Sequence, residues 1–282
     1  MSISVCTIAR GRHAHLCGLI EGLCAQDHLP DELVLAYMQP APYRDLPRAP
    51  FAIRQVRVPG DSLPLAAARN AAATAAQGDG LIFLDTDCIP GPTLVATYAG
   101  AMGTDRCLMG ETRYLGQDDA HGRPDFAALW RASHRHPARD FPQVSTRLSD
   151  PLEFWSLSFA MTAATFRTLG GFDTRFIGYG GEDTDFARRM EQHDVALIWT
   201  PDARAVHQWH RVQKPPIAHF DDIIRNARLF HRLHGCWCME YWLDQFEGLG
   251  LIRRTSLAIE VLRPPTSAEA DAARCDGAVR FS

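Results

Sequence analysis

The sequence predicts an α/β fold, a mainly parallel central sheet covered by helices on both faces and followed by a helical C-terminal extension. Three observations carry this prediction. Apolar runs at 3–8, 32–37 and 80–84 alternate with segments whose apolar residues recur at helical spacing, and strands alternating with helices build layered α/β folds. The runs are apolar almost throughout rather than at every second residue, so both faces of the sheet are buried. After Pro215 and Pro216 the pattern changes to amphipathic helix.

In chain order, "ISVCTI" (3–8) is a β-branched strand ending in the polar turn "ARGR". Leu16, Leu19, Ile20 and Leu23 mark one face of a helix, and "ELVLAY" (32–37) is a second strand. "LPLAAARNAAATAAQ" (63–77) predicts an alanine-rich helix, with Gly78 as its C-terminal stop. "GLIFL" (80–84) is a third strand that runs directly into Asp85 and Asp87. "RCLMGETRYL" (106–115) reads as a strand, and 116–151 as a mobile segment around a short helix at 125–133. "FWSLSFAMTAATFRTLGGF" (154–172) supplies a strand, a short helix and a glycine pair. "VALIWTP" (195–201) is a buried strand and "RAVHQWH" (204–210) a separate extended piece. Ile223, Ile224, Ala227, Phe230 and Leu233 line the apolar side of a helix. Residues 249–262 read as a packing helix, the alternative being contact with a membrane surface, and the last ~18 residues as loosely ordered. The expected division is one domain over 1–212, with halves 1–115 and 116–212, and an extension over 213–282.

Composition narrows the function classes. The 282 residues carry a net charge of −4, which gives no general attraction to nucleic acid or anionic lipid. No apolar stretch approaches the ~20 residues that cross a bilayer, and no basic leader precedes 3–8. The expectation is a soluble, cytoplasmic protein with at most peripheral membrane contact. Most of the eight cysteines fall in apolar strand or helix patterns, where a free thiol behaves as a small hydrophobe. The Cys236-x-Cys238 spacing is not that of a zinc site.

Two acidic clusters carry the chemistry. Asp85 and Asp87 end an apolar strand, where open α/β sheets bind ligands. On an extended chain both face one side, ~7 Å apart, and two hard oxygens there suit Mg²⁺ or Mn²⁺ on a phosphate. The alternative is a polar strand end or a helix cap. Upstream, Arg69 and Asn70 interrupt the alanines of "AAARNAA", and a basic group there can face a nucleotide's phosphates. The second cluster is "FIGYGGEDTDFARR" (176–189), in which Gly180 and Gly181 permit a tight turn and Glu182 and Asp183 open a helix. Asp185 has Arg188 and Arg189 at i+3 and i+4, so it reads as a structural ion pair. Glu182 and Asp183 have no basic helical neighbour and are expected to face a ligand.

The succession "SVCTIARGR", "PLAAARNAAATAAQGDGLIFLDTDCIP" and "GGFDTRFIGYGGEDTDFARRM" resembles the GT-A fold glycosyltransferases of family 2. Its last segment also resembles the catalytic region of β-1,4-galactosyltransferases. The matched motifs span 3 to about 210 and are far more specific in this order than singly. The resemblance implies a Rossmann-like three-layer α/β sandwich and an inverting, metal-dependent transfer of a hexose from a nucleotide-diphosphate sugar. UDP is the expected nucleotide, with a galactose-type sugar as the lean. By resemblance, Asp183 is the general base and Glu182 holds the acceptor. Ala9, Arg10, Arg69, Asp85, Thr86 and Asp87 contact the nucleotide sugar. Asp85, Asp87 and His207 hold Mn²⁺ or Mg²⁺, with His210 in reserve for His207. Asp173 caps a turn. Trp155 and Tyr179 are expected to contact an acceptor, which could be a carbohydrate, a lipid-linked sugar, a small metabolite or a peptide side chain. Two departures stand out: the second strand ends "VLAYMQP" without an acid for the base, and Q-x-x-R-W is absent, with "HRVQKPP" the expected basic lid. The rivals are a degenerate GT-A domain that binds carbohydrate or a partner, and a sugar nucleotidyltransferase.

Overall fold

The computed structural model describes residues 1–60, 62–119, 125–138 and 141–275. The chain opens with β1 (Ile3–Ala9), α1 (His13–Cys24), β2 (Glu32–Tyr37), β3 (Ala52–Arg57), α2 (Leu65–Ala75) and β4 (Gly80–Leu84). There follow β5 (Cys88–Pro90), α3 (Leu94–Ala101), β6 (Arg106–Tyr114), α4 (Phe126–Ala132) and β7 (Thr146–Arg147). Next come β8 (Ser158–Thr162), α5 (Ala163–Thr168), α6 (Glu182–Gln192), β9 (Ala196–His207) and β10 (Val212–Gln213). The remainder is α7 (Phe220–His234), α8 (Glu240–Gly248), β11 (Ile252–Arg254), β12 (Ile259–Val261), α9 (Ser267–Ala272) and β13 (Arg274–Cys275).

The main sheet runs β3-β2-β1-β4-β8-β6-β9-β5, with β7 also on β9. β3, β2, β1 and β4 are mutually parallel. β8 is antiparallel to both β4 and β6, and β6 is parallel to β9. Both faces are buried, as the continuous apolar strands require. Alanines of α2 and Phe166 and Phe186 of α5 and α6 cover one face; Leu16, Leu19 and Ile20 of α1 with Leu94 and Tyr98 of α3 cover the other. Phe172 stacks on Phe186 at 4.3 Å, anchoring α6 beneath the sheet. Ile223, Ile224, Leu243, Phe246 and Ile252 form a further core for the C-terminal elements.

Several expectations are corrected. β3, unread in the sequence, is an edge strand of alternating polar residues with only one paired side. β9 is one strand rather than two; a register shift opposite Gly110 to Thr112 bulges the chain around Pro201. Leu233 is exposed, because α7 ends one residue beyond it. Residues 249–262 form the β11–β12 hairpin, not a helix; Arg253 and Glu260 pair across it. The tail is ordered as far as described: Thr266 and Glu269 make a reciprocal cap on α9, and β13 pairs with β10. Residues 276–282 lie outside the described residues, as do 120–124 and 139–140 of the segment expected to be mobile. Within that segment α4 and β7 form. Among the described cysteines none is disulfide-bonded. Among the described residues no helix is long and apolar enough to cross a membrane.

Gly78 is not a helix stop. α2 ends at Ala76 in an extended conformation, and Gly78 passes directly under β1, donating its N–H to Ser4 Oγ at 2.8 Å. A Cβ there would lie 2.6 Å from Ser4 N and 2.7 Å from its Oγ. Gly78→Ala therefore pushes α2 off the sheet. Thermal unfolding should show a loss of about 1–3 kcal/mol; an unchanged Tm would mean that the strand yields freely.

Candidate active site

The acidic strand end is a turn, not an extended run: Cys88 N–H donates to Asp85 O at 2.9 Å. Asp85 and Asp87 consequently serve different neighbourhoods. β5 pairs with β9 so that Cys88 lies opposite His207, and Gln208 N–H donates to Asp87 O at 2.7 Å. This register brings His207 Nε2 to 3.4 Å from Asp87 Oδ1, and His210 Nε2 to 3.4 Å from Oδ2. The ligand atoms of Asp87, His207 and His210 all lie within 4.8 Å of one another, a group able to hold a metal ion. Asp85 is not in it. Both histidines that were alternatives in the sequence face the same carboxylate.

Burial raises the Asp87 carboxyl, but His207, His210 and Arg12 outweigh it and hold the group well below the usual range. Burial lowers His207 to about 4, against the pull of Asp87, so its imidazole is neutral at pH 7 and can ligate. Asp87 Oδ1 is buried without a hydrogen-bond donor. A buried carboxylate oxygen facing the neutral imidazole of His207, with His210 at the other oxygen, is a fit for a borderline divalent cation.

The second neighbourhood is built on Arg69. Its side chain, 4 % exposed, donates to Glu182 Oε1 (3.1 Å), Asp85 Oδ1 (3.3 Å) and Ser156 Oγ (3.0 Å), with Phe172 5.2 Å below the guanidinium. Arg69 thus bonds to the protein's own carboxylates, and Glu182, which has no basic neighbour on its own helix, finds one on α2. Asn70 is likewise structural: it exchanges two 2.8 Å hydrogen bonds with the backbone of Phe172. Burial raises Glu182 to about 7, with Asp183 adding to the rise and Arg69 opposing it. Asp85 is raised to about 6 by burial, again against Arg69. Half-buried Asp183 accepts from Thr184 N–H at 2.8 Å, and burial raises its carboxyl as well. Asp185 pairs with Arg189 at 2.8 Å, as read, and with His234 at 2.9 Å; Arg188 turns instead to Glu191.

Of the other expected contacts, Ala9 is buried at the end of β1, and its carbonyl accepts from Met38 N–H. Arg10 is exposed. Arg12, the second arginine of "ARGR" and not singled out in the sequence, reaches Asp87 instead. It does so from a left-handed backbone at φ 50°, which no sequence pattern announces for an arginine. Thr86 is buried with its hydroxyl unpartnered. Trp155 lines a cavity of only about 10 Å³. Tyr179 stacks on His219 at 4.5 Å and faces Trp242 at 5.5 Å. Burial and the carboxylates of Glu182 and Asp183 push its phenol up. Asp173 accepts from Arg175 N–H at 2.9 Å, the turn role read for it.

The chain is similar to several known proteins. Residues 135–214 match the profile of a family described as the N-terminal domain of galactosyltransferase. Validoxylamine A glucosyltransferase of Streptomyces hygroscopicus subsp. jinggangensis is 28% identical over 195 residues, 60% of this chain and 44% of that protein. GalNAc-T7, solved with UDP, GalNAc and Mn²⁺, superposes with a TM-score of 0.53 at 17% identity, over 74% of this chain and 43% of that one. The fold is the GT-A glycosyltransferase fold. A mannosyltransferase from Pyrobaculum calidifontis, solved with GDP-Man and Mn²⁺, shares it at a TM-score of 0.52 and 17% identity, over 80% of this chain and 61% of that one. The chain spans less than half the length of the glucosyltransferase it matches. In this GT-A frame the Asp87 group sits at the β4–β5 turn and the acid pair at the start of α6.

The electrostatics give a pH prediction. Glu182 has an ordinary pKa of 4.5 and titrates at about 7 when folded. The folded state therefore holds more protons between those values, and Glu182's contribution to stability falls as pH rises through that window. The unfolding free energy of Glu182→Gln relative to wild type, without metal, should climb from pH 4.5 to above 7, by at most roughly 3 kcal/mol. A pH-independent difference would show that Arg69 fully neutralises Glu182.

Proposed function

We propose that the chain is a metal-dependent, inverting glycosyltransferase that moves a hexose from a UDP-sugar to an acceptor hydroxyl. The observation that carries this reading is the convergence of Asp87, His207 and His210 within 4.8 Å in a GT-A frame. Those three side chains would hold Mn²⁺, or Mg²⁺ less readily, since two imidazoles favour the softer ion. The bound cation supplies charge stabilisation to the departing nucleoside diphosphate. Relatives solved with UDP, GDP-Man and Mn²⁺ support both the metal and the donor class.

The chain's own residues divide the remaining work. Arg12, rather than Arg10, stands beside Asp87 and is placed to meet diphosphate oxygens. Asp183, with its raised carboxyl, accepts the acceptor's proton as that oxygen bonds to the anomeric carbon. The bond from that carbon to the diphosphate breaks with its electron pair on the leaving oxygen, and in-line displacement inverts the centre. Glu182, fixed by Arg69, holds the acceptor hydroxyl. The aromatic face of Tyr179, beside Trp242, offers a sugar-stacking surface. Asp85 acts through Arg69 rather than on the metal.

Titration of UDP-, GDP- and dTDP-sugars with and without Mn²⁺ tests the donor half. One nucleotide should bind only with the metal, and Asp87→Ala should abolish that binding. Failure of every nucleotide to bind in either condition would point to a degenerate carbohydrate-binding domain. Asp183→Asn should retain Mn²⁺-dependent donor binding and lose transfer by about 10²–10⁴-fold; undiminished transfer would remove Asp183 as the base.

A further inference from the structure

The turn that launches α6 does not hold itself. Gly178, Gly180 and Gly181 have φ of 78°, 87° and 89°, and Gly181 caps α6 with no side-chain hydrogen bond. The carbonyls of this turn need donors from elsewhere. Side chains of α7 supply them: Nδ2 of Asn226 donates to the carbonyls of Ile177 (3.0 Å), Tyr179 (3.3 Å) and Gly180 (2.8 Å). Asn226 is 0% exposed. One helical turn earlier, Asp222 Oδ2 accepts from Tyr179 N–H at 3.3 Å and lies so close over Gly178 that no Cβ fits there. Arg225, between them, donates to Ile177 O.

Asn226 Oδ1 is itself buried with no partner. An orphaned buried carbonyl oxygen is destabilising, so packing alone would favour an apolar residue here. The amide is retained for its N–H groups. We propose that Asn226, supported by Asp222, is a positioning residue for sugar transfer: it fixes the Ile177–Gly181 turn and thereby the aim of Asp183 and Glu182. The effect on transfer rests on the glycosyltransferase reading above; the hold on the turn does not. It follows that the placement of the acids depends on two polar residues of α7, Asn226 and Asp222, from which the turn borrows its hydrogen bonds.

The test compares Asn226→Ala with Ile224→Ala, a cavity in the core on the same helix. Asn226→Ala should lower kcat by about 100-fold, the loss a displacement of ~1 Å can cause. Donor KM and Mn²⁺ affinity should be unchanged, and amides 178–186 should exchange hydrogen faster. Ile224→Ala should lower Tm at least as far yet leave kcat of the folded enzyme and exchange at 178–186 unaltered. Equal kcat losses in the two variants, or unchanged exchange at 178–186 in Asn226→Ala, would overturn the proposal. Should wild type transfer no sugar, the functional reading fails, and the exchange comparison still decides whether Asn226 holds the turn.

Discussion

A single buried guanidinium organises the acidic half of the site. Arg69 joins α2, the end of β4, the entry to β8 and the first turn of α6 through its bonds to Asp85, Ser156 and Glu182. Burying charge is costly unless it is paired and hydrogen-bonded, and removing one partner of such a set costs ~3–5 kcal/mol. Burial raises the carboxyls of Asp85, Glu182 and Asp183, and one cation facing all three does not offset it. A raised proton affinity is what a general base requires. Under the proposed mechanism, the burial that weakens the resting fold is also what readies Asp183 to take a proton.

This division of charge explains why the two aspartates at the end of β4 part company. Had the chain stayed extended, both carboxylates would meet the same cation. The turn sends Asp85 to Arg69, while the β5–β9 register hands Asp87 to the two histidines and Arg12. Each of the two aspartates thus has its own cation, and Arg69 is shared with Glu182. Arg12 differs from Arg69 in being half exposed, so it can leave Asp87 for an anionic ligand at little cost, whereas Arg69 is locked in place. An exposed cation suits the diphosphate contact proposed for Arg12; a buried one suits a positioning frame.

How much was legible follows from where each signal resides. The strands β1, β2, β4 and β6 were read from continuous apolar runs, because a strand buried on both faces leaves no other pattern. β3 was missed because an edge strand needs only one apolar side. The bulge at Pro201 split β9 in the reading, since proline interrupts a ladder locally without ending the strand. Asp87, His207, Glu182 and Asp183 were picked out by motif order, and the structure brings His210 beside the first two. Arg12 and the pairing of Arg69 with Glu182 were not readable. The first depends on a left-handed backbone, the second on a contact across 113 residues. Helical spacing reports only neighbours three and four apart, so "no basic neighbour in sequence" carried no information about α2.

Asn226 shows the same limit from the other side. Its environment is set by a turn 46 to 49 residues earlier, and on α7 it reads as one polar residue among many. Glycine makes that turn possible by admitting positive φ, but it contributes no side chain to satisfy the exposed peptide groups. Every buried backbone polar group must still find a partner. A glycine-rich turn carrying acids at a helix start therefore demands an external donor. Here the donor lies on a helix with its own hydrophobic core, so a segment with no acidic motif of its own becomes inseparable from the acids it positions.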